Sequence, residues 1–319
     1  MEKQNNFGSG ETAVAEVDKK NNKKKSTGKW KKIVDPLIFI GPHLLFFLVF
    51  FIIPFFFGIF ISFTKWDLMS DIEFVGFQNF AQIWDIKGWI NSTNVFADKF
   101  FSGLKYTLYY TVVMVPLIVI VPLIFALAIH KLSHGKKFVQ AVLYIPSLLS
   151  VATVALTWRW LLDLDNGVIN NFFFKDNPIN FVKDYAWQSI FALTLWSGVG
   201  GNLIIFMAGL SGIPQSYYEA ADIDGANGWV KFWKITLPEM SFQLLFTTVM
   251  GTIGAFNVFG QPYMFGTPTG QKVLMQYIQE YAFGSSVSMA GMASAMSVSL
   301  GLIISVFSVI QFRLMRVKD

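Results

Sequence analysis

A chain of 319 residues that is 54% apolar and 17% aromatic, with only 14% charged side chains and a mean hydropathy of +0.49, is not composed like a water-soluble domain, where about a quarter of the residues carry charge. Several uncharged runs exceed the roughly 18 residues that cross a bilayer core, and runs such as 44–61 lack the alternation of a barrel strand, so the fold class is an all-α polytopic membrane protein. The absence of cysteine excludes disulfides, thiol chemistry and cysteine metal sites, and the net charge of +5 is explained by where the lysines lie rather than by nucleic acid.

In chain order, residues 1–32 hold nine lysines with almost no apolar periodicity and read as a disordered basic cytoplasmic tail, its lysines either fixing orientation or meeting anionic lipid. A first span is expected over about 37–63, with Pro42, His43 and Pro54 inside it, followed by an outer loop that closes a region 33–105. The second span covers about 106–129 with Pro116 and Pro122, and ends in a basic loop. His130 and His134 there have metal-like spacing but no third ligand, so no metal site is assigned. The third span covers about 138–161, with Pro146 inside and Arg159 expected to snorkel between Trp158 and Trp160. A polar loop follows over 163–186 with Asn166-Gly167 as a turn, then a fourth span over about 187–210. The fifth is expected over about 240–258, continuing less regularly through Gly260-Gln261-Pro262-Tyr263. The last covers about 289–312, where Gly291, Ala295 and Ser299 form a smooth face. Residues 106–319 thus form a core of five helices, making six transmembrane helices in all.

Between spans four and five, over 212–238, lies the most specified polar segment. Glu219, Ala220 and Ala221 begin it, Asp222 and Asp224 are expected in a first helical turn, and Gly225 marks a sharp turn. A second short helix is expected over 229–235, and Pro238 can open the next one. The pattern Glu-Ala-Ala, three residues, Gly, nine residues, Ile, one residue, Leu-Pro resembles the coupling loop of permease subunits in binding-protein-dependent ABC importers. Ser62-Phe63-Thr64-Lys65-Trp66 and Phe74-Val75-Gly76-Phe77-Gln78-Asn79-Phe80 are similar to segments that follow the first span in carbohydrate permeases of the maltose or multiple-sugar type.

That resemblance implies the type I ABC importer permease fold and a subunit that moves a sugar or oligosaccharide across the cell membrane. It implies as partners a second permease subunit, two cytoplasmic ATPase subunits and an extracellular solute-binding protein. Glu219, Ala220, Ala221, Asp222, Gly225, Ile235, Leu237 and Pro238 become the ATPase-coupling residues. Import of another solute, such as glycerol phosphate, stays open within the family, and a secondary transporter stays open outside it.

Two readings stand apart from the resemblance. With six spans, 17 lysines and arginines fall on the side of the termini and 8 on the other, which makes both termini and the 212–238 loop cytoplasmic. The spans hold no deep Asp, Glu or Lys to serve as ion relays or acid–base pairs, and no phosphate-binding Gly-x-x-x-x-Gly-Lys-[Ser/Thr] occurs. No catalytic residue is therefore assigned, no cofactor is expected in this chain, and ATP with magnesium belongs to the partner ATPase. Trp196, Asn202, Phe256, Asn257 and Gln261 offer amides and aromatic faces suited to a sugar path, or alternatively bonds that only hold helices together. Asn257 and Gln261 share a face if one helix continues through both.

Overall fold

The structure, a computed structural model, describes residues 38–284 and 289–315. The basic tail over 1–32, the expected start of the first span at Leu37, residues 285–288 of the last outer loop, and the terminal Arg316 and Lys318 lie outside the described residues. The chain divides into two units between Phe60 and Ile61.

Helix α1 (Ile38–Ser62) is apolar all round, as a lipid-embedded helix is. Pro54 has no N–H for the carbonyl of Phe50. Just before it the helix widens into a π-turn over Leu48–Ile52, where the N–H of Ile53 reaches back to the Leu48 carbonyl.

In the second unit, β1 (Thr64–Lys65) pairs antiparallel with β2 (Glu73–Phe74). Asp67 ties their loop, one oxygen accepting from the N–H groups of Met69 and Ser70 and from the Ser70 hydroxyl, and these bonds hold its carboxyl down at about 2. Two short helices follow, α2 (Gln78–Ile83) and α3 (Ile86–Ile90). Buried Asn79 on α2 donates to the carbonyls of Ser62 and Thr64 at 2.9 and 2.8 Å, closing the chain where it leaves the first span.

Helix α4 (Val95–His130) starts well before the expected Tyr106. Asn94 caps it, accepting from the N–H groups of Phe96 and Ala97. Lys99 and Lys105 do not end the helix, because their ammonium groups lie over the rings of Tyr277 and Tyr106 at 5.1 and 5.6 Å. The expected third span is broken. Helix α5 (Lys136–Tyr144) passes into a 3₁₀ turn over Ile145–Leu148, and α6 (Val151–Leu161) leaves at 96°. Pro146 cannot donate to the α-helical ladder, Leu149 is extended, and the Ser150 hydroxyl caps a new helix by accepting from the Thr153 N–H at 3.1 Å. The polar loop carries α7 (Val168–Phe173), pinned by buried Asn170, which bonds to Asp163 and Ile179.

Helix α8 (Ala186–Gly212) matches the expected fourth span. Beyond it lie α9 (Gln215–Ile223), α10 (Gly228–Lys231), α11 (Leu237–Glu239) and α12 (Ser241–Phe256). Helix α12 stops at Phe256, so no continuous helix joins Asn257 to Gln261; α13 (Gly260–Phe265) starts afresh after Phe259. Arg159 does not snorkel freely: it donates to the carbonyl of Phe265 at 3.2 Å, capping the end of α13. The outer loop contains α14 (Leu274–Phe283), whose first N–H donates to the Thr107 hydroxyl on α4 at 2.9 Å. Helix α15 (Ala290–Met315) ends the described chain.

Among the described residues four helices, α1, α4, α8 and α15, are long and apolar enough to cross a membrane, and the bent α5–α6 pair makes a fifth if counted as one; α12, with 16 residues, is shorter. Helix α4 packs along α8 and α12, while α15 packs on α12 and α14. Between lipid-embedded helices close approach replaces hydrophobic driving force, so small residues decide where backbones meet. The smooth face of α15 illustrates this. A Cβ on Gly291 would run into the Thr64 carbonyl oxygen, Ala295 is fully buried, and the Ser299 hydroxyl accepts from the Trp84 indole N–H at 3.1 Å. Gly301, on the same helix, faces open space. Gly291→Ala should therefore cost about 1–3 kcal/mol through overpacking, whereas Gly301→Ala should be neutral or mildly stabilising. Thermal unfolding of the two variants in detergent measures the contrast, and equal melting points would contradict the packing assigned to this face.

Candidate functional site

The 212–238 loop is a helix, a reversal and a returning limb. Helix α9 ends in a full Schellman motif: the N–H of Ala226 reaches the Ala221 carbonyl at 2.8 Å and that of Gly225 reaches Asp222 at 3.1 Å. The motif requires a left-handed residue, and Gly225 sits at φ +73°. Asp222 and Asp224 lie at the C-terminal end of α9, not in a first turn as expected, so the helix dipole opposes them. Lys231 on the returning limb offsets this by pairing with Asp222.

The returning limb is not the single helix expected over 229–235. Asn227 caps α10 by accepting from the Val230 N–H at 3.0 Å, and a π-turn over Phe232–Thr236 then joins α10 to α11. Pro238 has no N–H for the Lys234 carbonyl, and the wider turn is where the N–H of Leu237 reaches Phe232 instead. The Tyr218 hydroxyl meets that of Thr236 at 2.9 Å, fastening α9 to the limb. Glu219, Ala220 and Pro238 are exposed; Ala221, Ile235 and Leu237 are half-buried, Leu237 against the cluster that contains Leu210 and Met240. The Glu219 carboxylate makes no hydrogen bond or ion pair among the described residues. The outer surface of α9 is thus preformed, fixed from behind and open in front.

The residues read as a sugar path are not brought together. A cleft of about 350 Å³ is lined by Asn257 and Gln261 with Tyr110, Thr194 and Gly254 among others. The two amides share it because the chain breaks at Asn257, not because a helix continues. The Asn257 amide donates to the Ile253 carbonyl at 2.8 Å. Trp196, Asn202 and Phe256 do not line this cleft. Phe256 is fully buried, 5.2 Å from the ring of Phe307, and Trp196 lies beside Trp158 at 6.0 Å. Asn202 on α8 donates to the carbonyl of Ile118 on α4 at 2.9 Å. That carbonyl lost its own α-helical donor to Pro122, so Asn202 repairs a proline gap. Tyr110 and Thr194 carried no signal in the sequence, since each looks like an ordinary residue on a span.

Helices long and apolar enough to cross a membrane, a cleft among them and one exposed, tied polar loop define a multi-pass membrane protein. Comparison with known proteins narrows the class: residues 88–319 match the family described as binding-protein-dependent transport system inner membrane component, and the chain belongs to that family. It is 32% identical over 302 residues to the probable ABC transporter permease protein YesP of Bacillus subtilis, covering 91% of this chain and 93% of that one. It is 30% identical to the arabinooligosaccharides transport system permease protein AraP of Halalkalibacterium halodurans, covering 89% and 88%. Its fold is similar to a chain of a crystallised bacterial ABC transporter involved in the import of the acidic polysaccharide alginate, with TM-score 0.74, 21% identity, and 92% and 98% covered.

The Asn202 bond makes a testable pair. Asn202→Leu should cost about 1 kcal/mol, the scale of an interhelical hydrogen bond in a membrane. The same change on a Pro122→Ala background should cost much less, because the introduced alanine restores the α-helical donor to Ile118. Thermal unfolding of the four proteins closes the cycle, and additive losses would contradict the repair.

Proposed function

We propose that this chain is one of two permease subunits of an ATP-driven importer for a sugar or oligosaccharide, crossing the membrane six times with both termini in the cytoplasm. The six crossings would be α1, α4, the bent α5–α6 pair, α8, α12 and α15. The excess of lysine and arginine on one side supports the orientation. The observation that carries the reading is the loop itself. An exposed helix, locked by a glycine reversal and tied from behind by Tyr218 and Lys231, is a docking element. A free loop needs none of these restraints.

Two cytoplasmic ATPase subunits supply the motion, one seated against α9 through Glu219, Ala220 and Ala221. A solute-binding protein delivers substrate on the opposite face, in keeping with the family. A sugar is favoured by the naming of AraP for arabinooligosaccharides and by the cleft, whose lining includes Asn257, Gln261 and Tyr110. ATP-driven closure would move α9, and the rigid limb would transmit that movement to α12 and the cleft beyond it. The absence of deep carboxylates and lysines between 106 and 129, and along α8, α12 and α15 before Arg313, argues against ion coupling.

Uptake of an arabino- or malto-oligosaccharide by the assembled importer should be abolished by vanadate and should survive collapse of the proton gradient. Gly225→Val places a β-branched residue at φ +73°, at a cost of about 1–2 kcal/mol. Ala221→Trp puts bulk on the docking face. Both should keep normal membrane abundance while losing ATPase pull-down and uptake. Wild-type pull-down and uptake in both variants would refute the coupling role, and uptake driven by the proton gradient would refute the importer.

A further inference from the structure

A second cavity, of about 390 Å³, lies against the β1–β2 hairpin and shares no lining residue with the cleft at Asn257. Its size falls within the roughly 300–1,000 Å³ of pockets that hold small molecules. The hairpin contributes Trp66 and Asp67, α2 contributes Gln78, Asn79 and Gln82, and Phe96 on α4 lies opposite the first turn of α15 in the lining. Phe96 and the cleft residue Tyr110 are both on α4, about 21 Å apart along its axis. The other end of α4, at Ile129, packs with Leu210 and Met240 beside the 212–238 loop. The cavity therefore stands at the end of the bundle away from that loop.

Asn79 is the buried polar group of this cavity, only 8% exposed. Its amide nitrogen donates to the carbonyls of both Ser62 and Thr64, which fixes the amide and turns Oδ1 away from them. Oδ1 accepts no hydrogen bond among the described residues, yet it is not sealed inside protein, so it opens to the cavity that the residue lines. A buried acceptor without a donor is costly. The exposed side chains of Gln78 and Gln82, four apart on one face of α2, also make no hydrogen bond among the described residues. Asp67 has Oδ1 occupied by Met69 and Ser70, while Oδ2 accepts from no other described residue; the same bonds keep the carboxylate ionised. The Trp66 indole is held by its N–H, which donates to the Ser70 carbonyl at 3.0 Å. The lining carries one carboxylate, Asp67, and one ammonium, Lys65, so its charge balances.

We infer that this cavity is a second sugar-binding site, in which Asn79, Asp67, Gln78 and Gln82 meet hydroxyls and the rings of Trp66 and Phe96 cover C–H patches. A hydroxyl both donates and accepts, so it suits fixed acceptors placed beside amides that can do either. Aromatic faces suit the apolar side of a sugar ring. The balanced charge favours a neutral ligand over an ion. The choice of a sugar rests on the proposed function, and on that reading the site holds the ligand at the far end of the bundle from the 212–238 loop, ahead of the cleft.

The native chain has no cysteine, so a single one reports on this site alone. Met289 lines the cavity and is 36% exposed. In the full chain in nanodiscs, without ATPase or binding protein, maleimide modification of Met289→Cys should slow several-fold when arabinotriose or maltotriose is added at millimolar concentration. Adding Gln78→Ala and Gln82→Ala removes two exposed side chains and no hydrogen bond of the fold, so it should keep the melting temperature and lose the protection. Adding Asn257→Ala and Gln261→Ala in the cleft instead should leave the protection in place. Protection by neither sugar, protection that survives loss of Gln78 and Gln82, or protection that the cleft variants abolish would each overturn the inference. Vanadate-sensitive uptake by the assembled wild-type importer judges the proposed function separately, so its failure and the failure of this site are told apart.

Discussion

A backbone carbonyl released inside hydrocarbon has no water to turn to, and this chain places several prolines in or beside apolar helices. How each gap is closed explains much of the architecture. At Pro54 and Pro238 the helix widens into a π-turn. At Pro122 a neighbouring helix supplies the missing donor through Asn202. At Pro146 the helix gives way, and Ser150 starts another at a steep angle. At Pro146 and Pro238 the solution also sets the path of the chain beside the site. The bend at Pro146 brings α6 to α13, where Arg159 caps the Phe265 carbonyl beside the cleft. The wide turn before Pro238 orients the limb that carries the loop.

The loop joins local and global structure without a large interface of its own. Its reversal is a backbone motif that needs a left-handed glycine, and its two limbs meet through one hydroxyl pair and one ion pair. Because α11 leads into α12 after Met240 alone, a displacement of α9 has a short, stiff route to the wall of the cleft. The lining of that cleft comes from α4, α8, α12, the break at Asn257 and the start of α13, so movement of α12 alters its shape.

The long spans were legible because uninterrupted apolar runs have few other uses, and the glycine reversal was legible because its spacing is distinctive. The rest was hidden for physical reasons. Proline inside an apolar run is compatible with a kink, a π-turn or a break, and only the neighbours decide; Pro54 and Pro146 look alike in sequence and end differently. Lys99 and Lys105 looked like loop residues until the tyrosine rings beneath them were in place. Helix α14 was hidden in a polar outer loop because its buried side packs on α15 and on α4, which is distant in sequence. Asn202 and Phe256 had the right chemistry for a sugar path, but helix packing uses both for other purposes.

The account stands on where α9 lies and what covers it, and accessibility of the Ile223 position to a membrane-impermeant thiol reagent measures both. An Ile223→Cys variant should be unreactive in intact cells, reactive in inside-out vesicles stripped of ATPase, and protected again when ATPase is added back. Labelling from the outside of intact cells, or reactivity in stripped vesicles that added ATPase leaves unchanged, would contradict the proposed coupling through the 212–238 loop.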